Sequence, residues 1–292
     1  MSFSKVAVVG AGVMGQGISQ TVASTGTEVE LFDIDADHLS LSIKSLSDEM
    51  DREIERWGMT SSEKKAILSR IKTTPNLTDA EDFPLIIEAI PEDLALKTSL
   101  FSKLDKVCPP ETIFVTNTST LSITEIGAAT ARPDKVIGLH FLNPVPKIPL
   151  VEIVRGLKTS DETYEKIKEF AATLGKTPVK VFEYPGYVTT RIIVPLLNEA
   201  MHVLMEGVAT AGDIDNAIKL GYGFNIGPLA LADKMGLDVV MDWMENLLNE
   251  LSDHKYNPCP LLRKMVRAGH LGVKTGQGFF KYDSDGNRLT EE

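Results

Sequence analysis

Cysteine and basic residues are scarce in this sequence, and each scarcity argues against a class of protein. Only two cysteines occur among 292 residues, and neither has neighbours at metal-ligand spacing, so we expect no metal. They cannot form a disulfide framework, and we expect Cys108 and Cys259 to be reduced thiols. Lysine and arginine total 30 against 41 acidic residues, which gives a net charge of −11. That balance argues against nucleic acid as a general partner.

Long apolar runs are missing as well. No segment reaches the roughly 18 consecutive apolar residues typical of a membrane-spanning helix, so we expect no membrane partner. The first strand pattern begins at Lys5, which leaves no room before it for a secretory leader or a transit peptide. Together with the reduced cysteines, these absences predict a cytoplasmic protein.

The composition that is present suits a globular protein with two domains. Apolar residues make up 43% and charged residues 24% of the chain, which is typical of folded soluble proteins. Single cores usually split before this length. Strand and helix patterns alternate as far as Tyr184, and only helical patterns follow Pro185. We predict an α/β fold with a Rossmann-type doubly wound sheet over residues 1–184, followed by an all-α domain over residues 185–292.

The first 33 residues have the pattern of a dinucleotide-binding turn. The β-branched run at residues 6–9 predicts a buried parallel strand, a helix pattern follows, and Asp33 ends a second strand pattern. Glycines at the G-x-G-x-x-G spacing allow a tight turn and a close approach to a pyrophosphate. The carboxylate can accept hydrogen bonds from the adenosine ribose and repels a 2′-phosphate. We therefore predict NAD, and not NADP, at Gly10, Gly12, Val13, Met14, Gly15 and Asp33.

Two helical patterns are inserted after Asp33. Apolar residues recur at three- and four-residue steps through residues 39–54, and Thr60 and Glu63 form a capping pattern for the next helix. These helices also carry basic side chains, which either form a solvated face or contact an acidic ligand. The basic residues of these helices include Arg52, Arg56 and Lys64.

One of the five histidines lies where chemistry is expected. His140 lies near the end of the strand pattern of residues 136–141, and ligands of open α/β sheets bind at the carboxyl ends of strands. Its imidazole can transfer a proton near neutral pH, or it can be a buried structural residue. Glu152 lies inside an apolar strand pattern, where an ionised carboxylate is unfavourable unless paired. A pair between Glu152 and His140 would remove that penalty and orient the imidazole.

A polar segment ends another strand pattern, at residues 112–116. Thr116-Asn117-Thr118-Ser119 presents hydroxyl and amide groups at that point. Such side chains are common as helix caps and in turns. They are equally suited to hydrogen-bond a substrate oxygen, and the sequence leaves both roles open.

The long helical pattern after Gly186 is apolar on more than one side. Burial between two subunits explains such a pattern, and so does a thicker core within one subunit. We predict a homodimer formed through the C-terminal helices. The residues outside the main apolar stripe are Ile193, Val194, Met201 and Met205.

Eight segments resemble the 3-hydroxyacyl-CoA dehydrogenase family, most closely its bacterial 3-hydroxybutyryl-CoA dehydrogenases, and they extend over essentially the whole chain. GLHFLNPVP together with the C-terminal KTGQGFFKY is the most specific combination. The segments are GAGVMGQGISQ at 10–20, EAIPEDLALK at 88–97, NTSTLSITEI at 117–126, GLHFLNPVP at 138–146, LVEIV at 150–154, PGYVTTRIIVPLLNEA at 185–200, DIDNAIKLGYGFNIGPLALAD at 213–233 and GVKTGQGFFKY at 272–282.

The resemblance implies an NAD-dependent (S)-3-hydroxyacyl-CoA dehydrogenase whose substrate is a short acyl-CoA thioester, interconverting 3-hydroxybutyryl-CoA and acetoacetyl-CoA. His140 would be the general base for the 3-hydroxyl and Glu152 its orienting carboxylate. Ser119 and Asn143 would bind the reacting oxygen and help to place the nicotinamide. The remaining matches are cofactor contacts at Glu92, Lys97 and Lys274, and coenzyme A contacts at Arg52, Arg56 and Lys64.

One segment departs from the family pattern. The family has Gly-Phe-x-x-Asn-Arg where this chain has Gly186-Tyr187-Val188-Thr189-Thr190-Arg191. Thr190 therefore replaces an asparagine expected near the substrate, and it lacks the carboxamide. The preferred acyl group and the turnover rate stay open. Two alternatives also stay open: a dehydrogenase of a free hydroxy acid or sugar acid, and a nucleotide-binding regulatory protein without turnover.

Overall fold

Eight strands form one sheet in a computed structural model of the chain, which describes residues 3–56 and 58–289. The chain folds as two units, Met1–Tyr184 and Pro185–Glu292, and the sheet belongs to the first. Its strands are β1 (Lys5–Val9), β2 (Glu28–Phe32), β3 (Ile71–Thr74), β4 (Leu85–Glu88), β5 (Ile113–Thr116), β6 (Val136–Phe141), β7 (Leu150–Arg155) and β8 (Thr177–Phe182).

The sheet is doubly wound, as predicted. Its order is β3-β2-β1-β4-β5-β6-β7-β8, and all pairs from β3 to β6 are parallel. The chain first extends the sheet in one direction, from β1 to β3, and then in the other, from β4 onward. A ligand of such a sheet binds where the direction changes, outside the carboxyl ends of β1 and β4.

Two features of the sheet are not part of the sequence-based interpretation. β3 has only one large apolar residue, Ile71, because it is an edge strand with two exposed positions, and its pattern therefore shows no strand signal. β7 runs antiparallel to β6. The connection between them, residues 142–149, is too short for the crossover that a parallel pair requires.

Helices flank the sheet in the first unit, and the inserted pair is present as α2 and α3. The capping box at the start of α3 is confirmed, with Thr60 accepting from the Glu63 N–H and Glu63 accepting from the Thr60 N–H. The helices described in this unit are α1 (Val13–Ser24), α2 (Ala36–Glu55), α3 (Ser61–Leu68), α4 (Leu94–Val107), α5 (Ile123–Ala128) and α6 (Asp161–Thr173).

The second unit is helical, and its longest helix is buried mostly within the unit itself. Val194 and Met201 are fully buried in its core, and Ile193 packs against that core. The core of one subunit therefore accounts for the burial of Val194 and Met201, whereas Ile193 is only partly buried and Met205 is 43% exposed. The helices are α7 (Thr189–Met205), α8 (Ala211–Tyr222), α9 (Pro228–Met235), α10 (Leu237–Leu251) and α11 (Pro260–Arg267).

Membrane-spanning helices and metal-binding clusters are both absent from residues 3–56 and 58–289. None of the helices there has both the length and the apolar composition that a membrane crossing needs. In the same residues, no three histidine, cysteine, aspartate or glutamate side chains are grouped so as to hold a metal ion.

Candidate active site

The glycine turn lies at the carboxyl end of β1, beside the point where the sheet changes direction. Gly10 has a φ of +105°, and a Cβ there would lie 2.6 Å from the Ala89 carbonyl oxygen. A Cβ on Gly15 would overlap the carbonyl oxygen of Gly10. The fold itself therefore requires both glycines. At Gly12, by contrast, a Cβ would meet nothing within 4 Å, so the space beside it is open to a ligand.

The groups around this turn fit a dinucleotide. Asp33 follows β2, and its carboxylate accepts the N–H of Ala11 at 2.9 Å and lies 3.1 Å from Nδ1 of His38. Helix α1 begins at Val13 with no side-chain cap, so its first N–H groups can bind a diphosphate. Val13 is 68% exposed, whereas Met14 packs partly against the core of the unit. NAD would thus be held by backbone at the turn and by the carboxylate of Asp33.

His140 and Glu152 form a buried pair. They lie directly opposite each other in the antiparallel register of β6 and β7, so their side chains share one face of the sheet. Nδ1 of His140 is 2.7 Å from Oε2 of Glu152, and the two side chains are 3% and 0% exposed. Because a carboxylate only accepts hydrogen bonds, Nδ1 carries the proton and Nε2 is the basic nitrogen.

The polar segment after β5 is gathered around the carboxylate of Glu92. Oε1 of Glu92 accepts the Thr118 hydroxyl at 2.5 Å, the Ser119 N–H at 2.8 Å, and the Thr120 N–H at 3.0 Å. Asn117 links the same segment to β6, because its Oδ1 accepts the N–H of Phe141 at 3.0 Å. The loops after β4 and β5 and the last residue of β6 are therefore connected at the carboxyl edge of the sheet.

Lys97 is buried among acidic side chains at the carboxyl edge of the sheet. Its side chain is fully buried, and Nζ donates to Oε1 of Glu88 at 2.5 Å and to the Ile90 carbonyl at 3.1 Å. Nζ also lies 3.6 Å from Oε2 of Glu92. Lys97 is thus part of an internal ion pair in the first unit, and the cofactor contact that the family resemblance implies for it stays a prediction. Burial raises the pKa of the Glu88 carboxyl, and the Lys97 ammonium opposes that shift.

The other predicted site residues divide between the two units. In the first unit, Ser119 is half-buried and Asn143 is exposed in the loop that follows β6. In the second unit, Thr190 is 1% exposed in the first turn of α7. Nζ of Lys274, also in the second unit, is 2.6 Å from Oδ2 of Asp238.

The predicted coenzyme A residues also differ in their surroundings. Arg52 pairs with Glu49 and Lys64 with Asp51, in both cases within the inserted helices. Arg56 lines a cavity of about 490 Å³. The described lining of this cavity is Gln20, Thr21, Ser24, Glu53, Arg56, Gly58, Met59, Ile67, Pro146, Lys147 and Leu174.

Two residues near these sites escape the sequence-based interpretation. Glu88 ends the apolar run of β4 and binds both Lys97 and the hydroxyl of Thr116. The sequence signal for Glu88 is a carboxylate at the end of an apolar strand, which predicts a buried acid with a paired cation. Lys147 joins Arg56 in the cavity lining, and its Nζ is 3.3 Å from Oε1 of Glu53. No local pattern distinguishes Lys147 from a solvated lysine.

Comparisons with known proteins give consistent matches. Residues 5–184 match the family model "3-hydroxyacyl-CoA dehydrogenase, NAD binding domain", and residues 186–282 match "3-hydroxyacyl-CoA dehydrogenase, C-terminal domain". A probable 3-hydroxybutyryl-CoA dehydrogenase of Bacillus subtilis is 46% identical over 283 residues, which cover 97% of this chain and 99% of the relative.

Solved structures match over the same extent. The (S)-3-hydroxybutyryl-CoA dehydrogenase PaaH1 from Ralstonia eutropha has a TM-score of 0.88 and 41% identity. FadB2 of Mycobacterium tuberculosis has a TM-score of 0.94 and 37% identity. Each match covers 97% of this chain and 100% of the other chain.

Proposed function

Because the chain belongs to the 3-hydroxyacyl-CoA dehydrogenase family, we propose that it interconverts (S)-3-hydroxybutyryl-CoA and acetoacetyl-CoA with NAD. The names of the similar relatives support this choice of substrate. The observation that carries the proposal is the buried pair of His140 and Glu152, in which Nδ1 of the histidine lies 2.7 Å from Oε2 of the glutamate. That pair supplies the base which the oxidation of a secondary alcohol needs.

The proposed mechanism assigns proton transfer to the chain and hydride acceptance to the cofactor. NAD, when bound, supplies the nicotinamide that takes the hydride from C3. Nε2 of His140 removes the proton of the 3-hydroxyl, because Nδ1 is held by Glu152. The Glu152 carboxylate then stabilises the imidazolium. Ser119 and Asn143, both in the first unit, hydrogen-bond the reacting oxygen.

The coenzyme A portion of the substrate is proposed to contact the cavity lined by Arg56. Its lining carries the cations Arg56 and Lys147 and the carboxylate of Glu53, which Lys147 already neutralises. The charge of Arg56 therefore remains for a phosphate, and a guanidinium pairs well with phosphate oxygens. Arg52 and Lys64 are proposed as weaker contacts, because each is paired with a carboxylate of the same helices.

Replacing Arg56 with alanine is expected to raise the KM for acetoacetyl-CoA by about tenfold, which corresponds to one charge-assisted hydrogen bond. The kcat should stay the same, because Arg56 does not act on the reacting atoms. Arg52→Ala, on the same helix, is the matched control and should change KM far less. Equal KM values for the two variants would contradict a special role for Arg56.

Replacing Asp33 with asparagine is expected to weaken NADH binding by about tenfold or more, since a charged acceptor for the ribose is lost. The preference for NADH over NADPH should narrow, because the repulsion of the 2′-phosphate disappears. Asp35→Asn is the control: Asp35 caps α2 through the N–H groups of Asp37 and His38, and an asparagine can keep this cap, so the affinity for both cofactors should not change. The measurement is the dissociation constant of each cofactor by fluorescence titration.

The test of the function itself is a panel of 3-ketoacyl-CoA thioesters from C4 to C16, each with NADH and with NADPH. We expect the highest kcat/KM with acetoacetyl-CoA and NADH. Free acetoacetate in the same assay separates this function from a dehydrogenase of free acids. Cofactor binding without turnover of any thioester would indicate the regulatory alternative.

We also infer that the protein lies in a reducing compartment, the cytoplasm, because both cysteines are free and buried.

We further infer that the chain forms a homodimer. The second unit of a single chain exposes large apolar side chains, and a partner subunit would cover them. Sedimentation equilibrium tests the dimer, and a monomer at micromolar concentration would refute it. The exposed side chains are Ile192, Met205, Val208, Leu220, Tyr222 and Phe224.

A further inference from the structure

We propose that Glu92 and Thr118 are positioning residues, which act in the reaction by fixing the direction of the Ser119 hydroxyl. The inference rests on the proposed function, because that function assigns Ser119 to the reacting oxygen. In this inference Glu92 holds neighbouring protein groups in place, in addition to making the cofactor contact that the family resemblance implies. The supporting contacts all lie in the first unit.

A single carboxylate oxygen organises the segment around Ser119. Oε1 of Glu92 accepts hydrogen bonds from the hydroxyl of Thr118, at 2.5 Å, and from that of Thr120, at 3.2 Å. It also accepts the backbone N–H groups of Ser119 and Thr120, at 2.8 and 3.0 Å. Hydrogen bonds to an ionised acceptor are roughly twice as strong as neutral ones. Three consecutive residues are therefore held by one anion.

These contacts use the hydroxyls of both neighbours of Ser119 and only the backbone of Ser119 itself. Thr118 and Thr120 are 1% and 3% exposed, because both turn toward Glu92. The N–H of Ser119 also points to Glu92, whereas its hydroxyl is not among the groups that contact this carboxylate. Ser119 is accordingly the half-buried member between two buried ones. The carboxylate thus selects which of the three hydroxyls stays available to a ligand.

The segment is also fixed relative to the catalytic base. Asn117 accepts the N–H of Phe141, the residue that follows His140. The other oxygen of Glu92, Oε2, lies 3.6 Å from the buried ammonium of Lys97, which in turn pairs with Glu88. Ser119 is therefore attached on one side to the strand of His140, and on the other to an internal ion pair. A rigid attachment of this kind is what a reacting site needs.

Thr118→Val tests the inference without changing Glu92 or any group assigned to the cofactor. We expect a fall in kcat with acetoacetyl-CoA of about tenfold, because small displacements of a positioned group lower rates strongly. The KM for NADH should not change. Thr112→Val is the matched control: it removes a buried hydroxyl that donates to the Phe83 carbonyl at 2.8 Å, just before the other end of β5. This control should lose stability and keep kcat.

A double-mutant cycle with Ser119→Ala decides between positioning and mere stability. If Thr118 acts through Ser119, the double variant Thr118→Val/Ser119→Ala should be no slower than Ser119→Ala alone. Multiplied losses in the double variant, or a kcat of Thr118→Val equal to that of the unaltered chain, would overturn the inference. Both results leave the proposed function intact. That function fails separately, and this inference with it, if the unaltered chain does not reduce acetoacetyl-CoA.

Discussion

Replacing His140 with glutamine is expected to lower kcat for acetoacetyl-CoA reduction by about 10²–10⁴-fold, the range that general acid–base catalysis contributes. Glutamine retains a polar side chain on β6 but cannot exchange a proton near neutral pH. The affinity for NADH should be unchanged, because the glycine turn follows β1 and Asp33 follows β2, whereas His140 lies on β6. Stopped-flow kinetics with a separate NADH titration measure both quantities.

Two further variants make this prediction specific. His254→Gln changes an exposed histidine of the second unit and should leave kcat as it is. Glu152→Gln should lower kcat, because the amide neither neutralises an imidazolium nor selects the Nδ1 tautomer. If Glu152→Gln alters only the temperature of unfolding, the pair has no catalytic role. Near-full activity of His140→Gln would falsify the assignment of the base.

Replacing Lys97 with methionine is expected to lower the free energy of unfolding by about 3–5 kcal/mol at pH 8, the usual effect of removing one partner of a buried ion pair. Methionine preserves most of the apolar stem, so the loss comes from the charge. The variant leaves the Glu88 carboxylate fully buried without its ammonium. Urea unfolding at several pH values measures the change.

The loss of unfolding free energy in Lys97→Met should increase as the pH rises. Burial already raises the pKa of the Glu88 carboxyl, and without the opposing ammonium the pKa in the folded variant rises further. A carboxyl whose pKa is raised in the folded state adds stability at low pH, and this is lost as pH rises through the folded pKa. The variant should therefore be closest to the unaltered chain near pH 5.

The control for this prediction is Lys103→Met on the same helix. Lys103 is exposed on α4, and substitutions at such positions usually change stability by less than about 0.5 kcal/mol. A pH-independent loss in Lys97→Met would mean that packing, and not the ion pair, explains the effect. A loss as small as that of Lys103→Met would contradict the buried pair altogether.

Local sequence patterns are sufficient to predict those features that a few neighbouring residues determine. The β-branched run of β1, the three glycines with Asp33, and the capping box at Thr60 each specify their own geometry through short-range sterics and hydrogen bonds. The pairing of His140 with Glu152 was also predictable, because an unpaired carboxylate in an apolar strand is too unfavourable. The family segments added the reaction, which none of these patterns contains.

The sequence by itself thus determined the α/β class, the glycine turn and the pairing of His140 with Glu152, since each depends on residue type and spacing. The tertiary structure decided the partners of charges that look alike in sequence. Lys97 is buried between Glu88 and Glu92, whereas Lys103 on the same helix is exposed. Arg56 lines a cavity that Arg52 does not. Such differences depend on which loops the strands bring together, and Coulomb energies change with distance and burial.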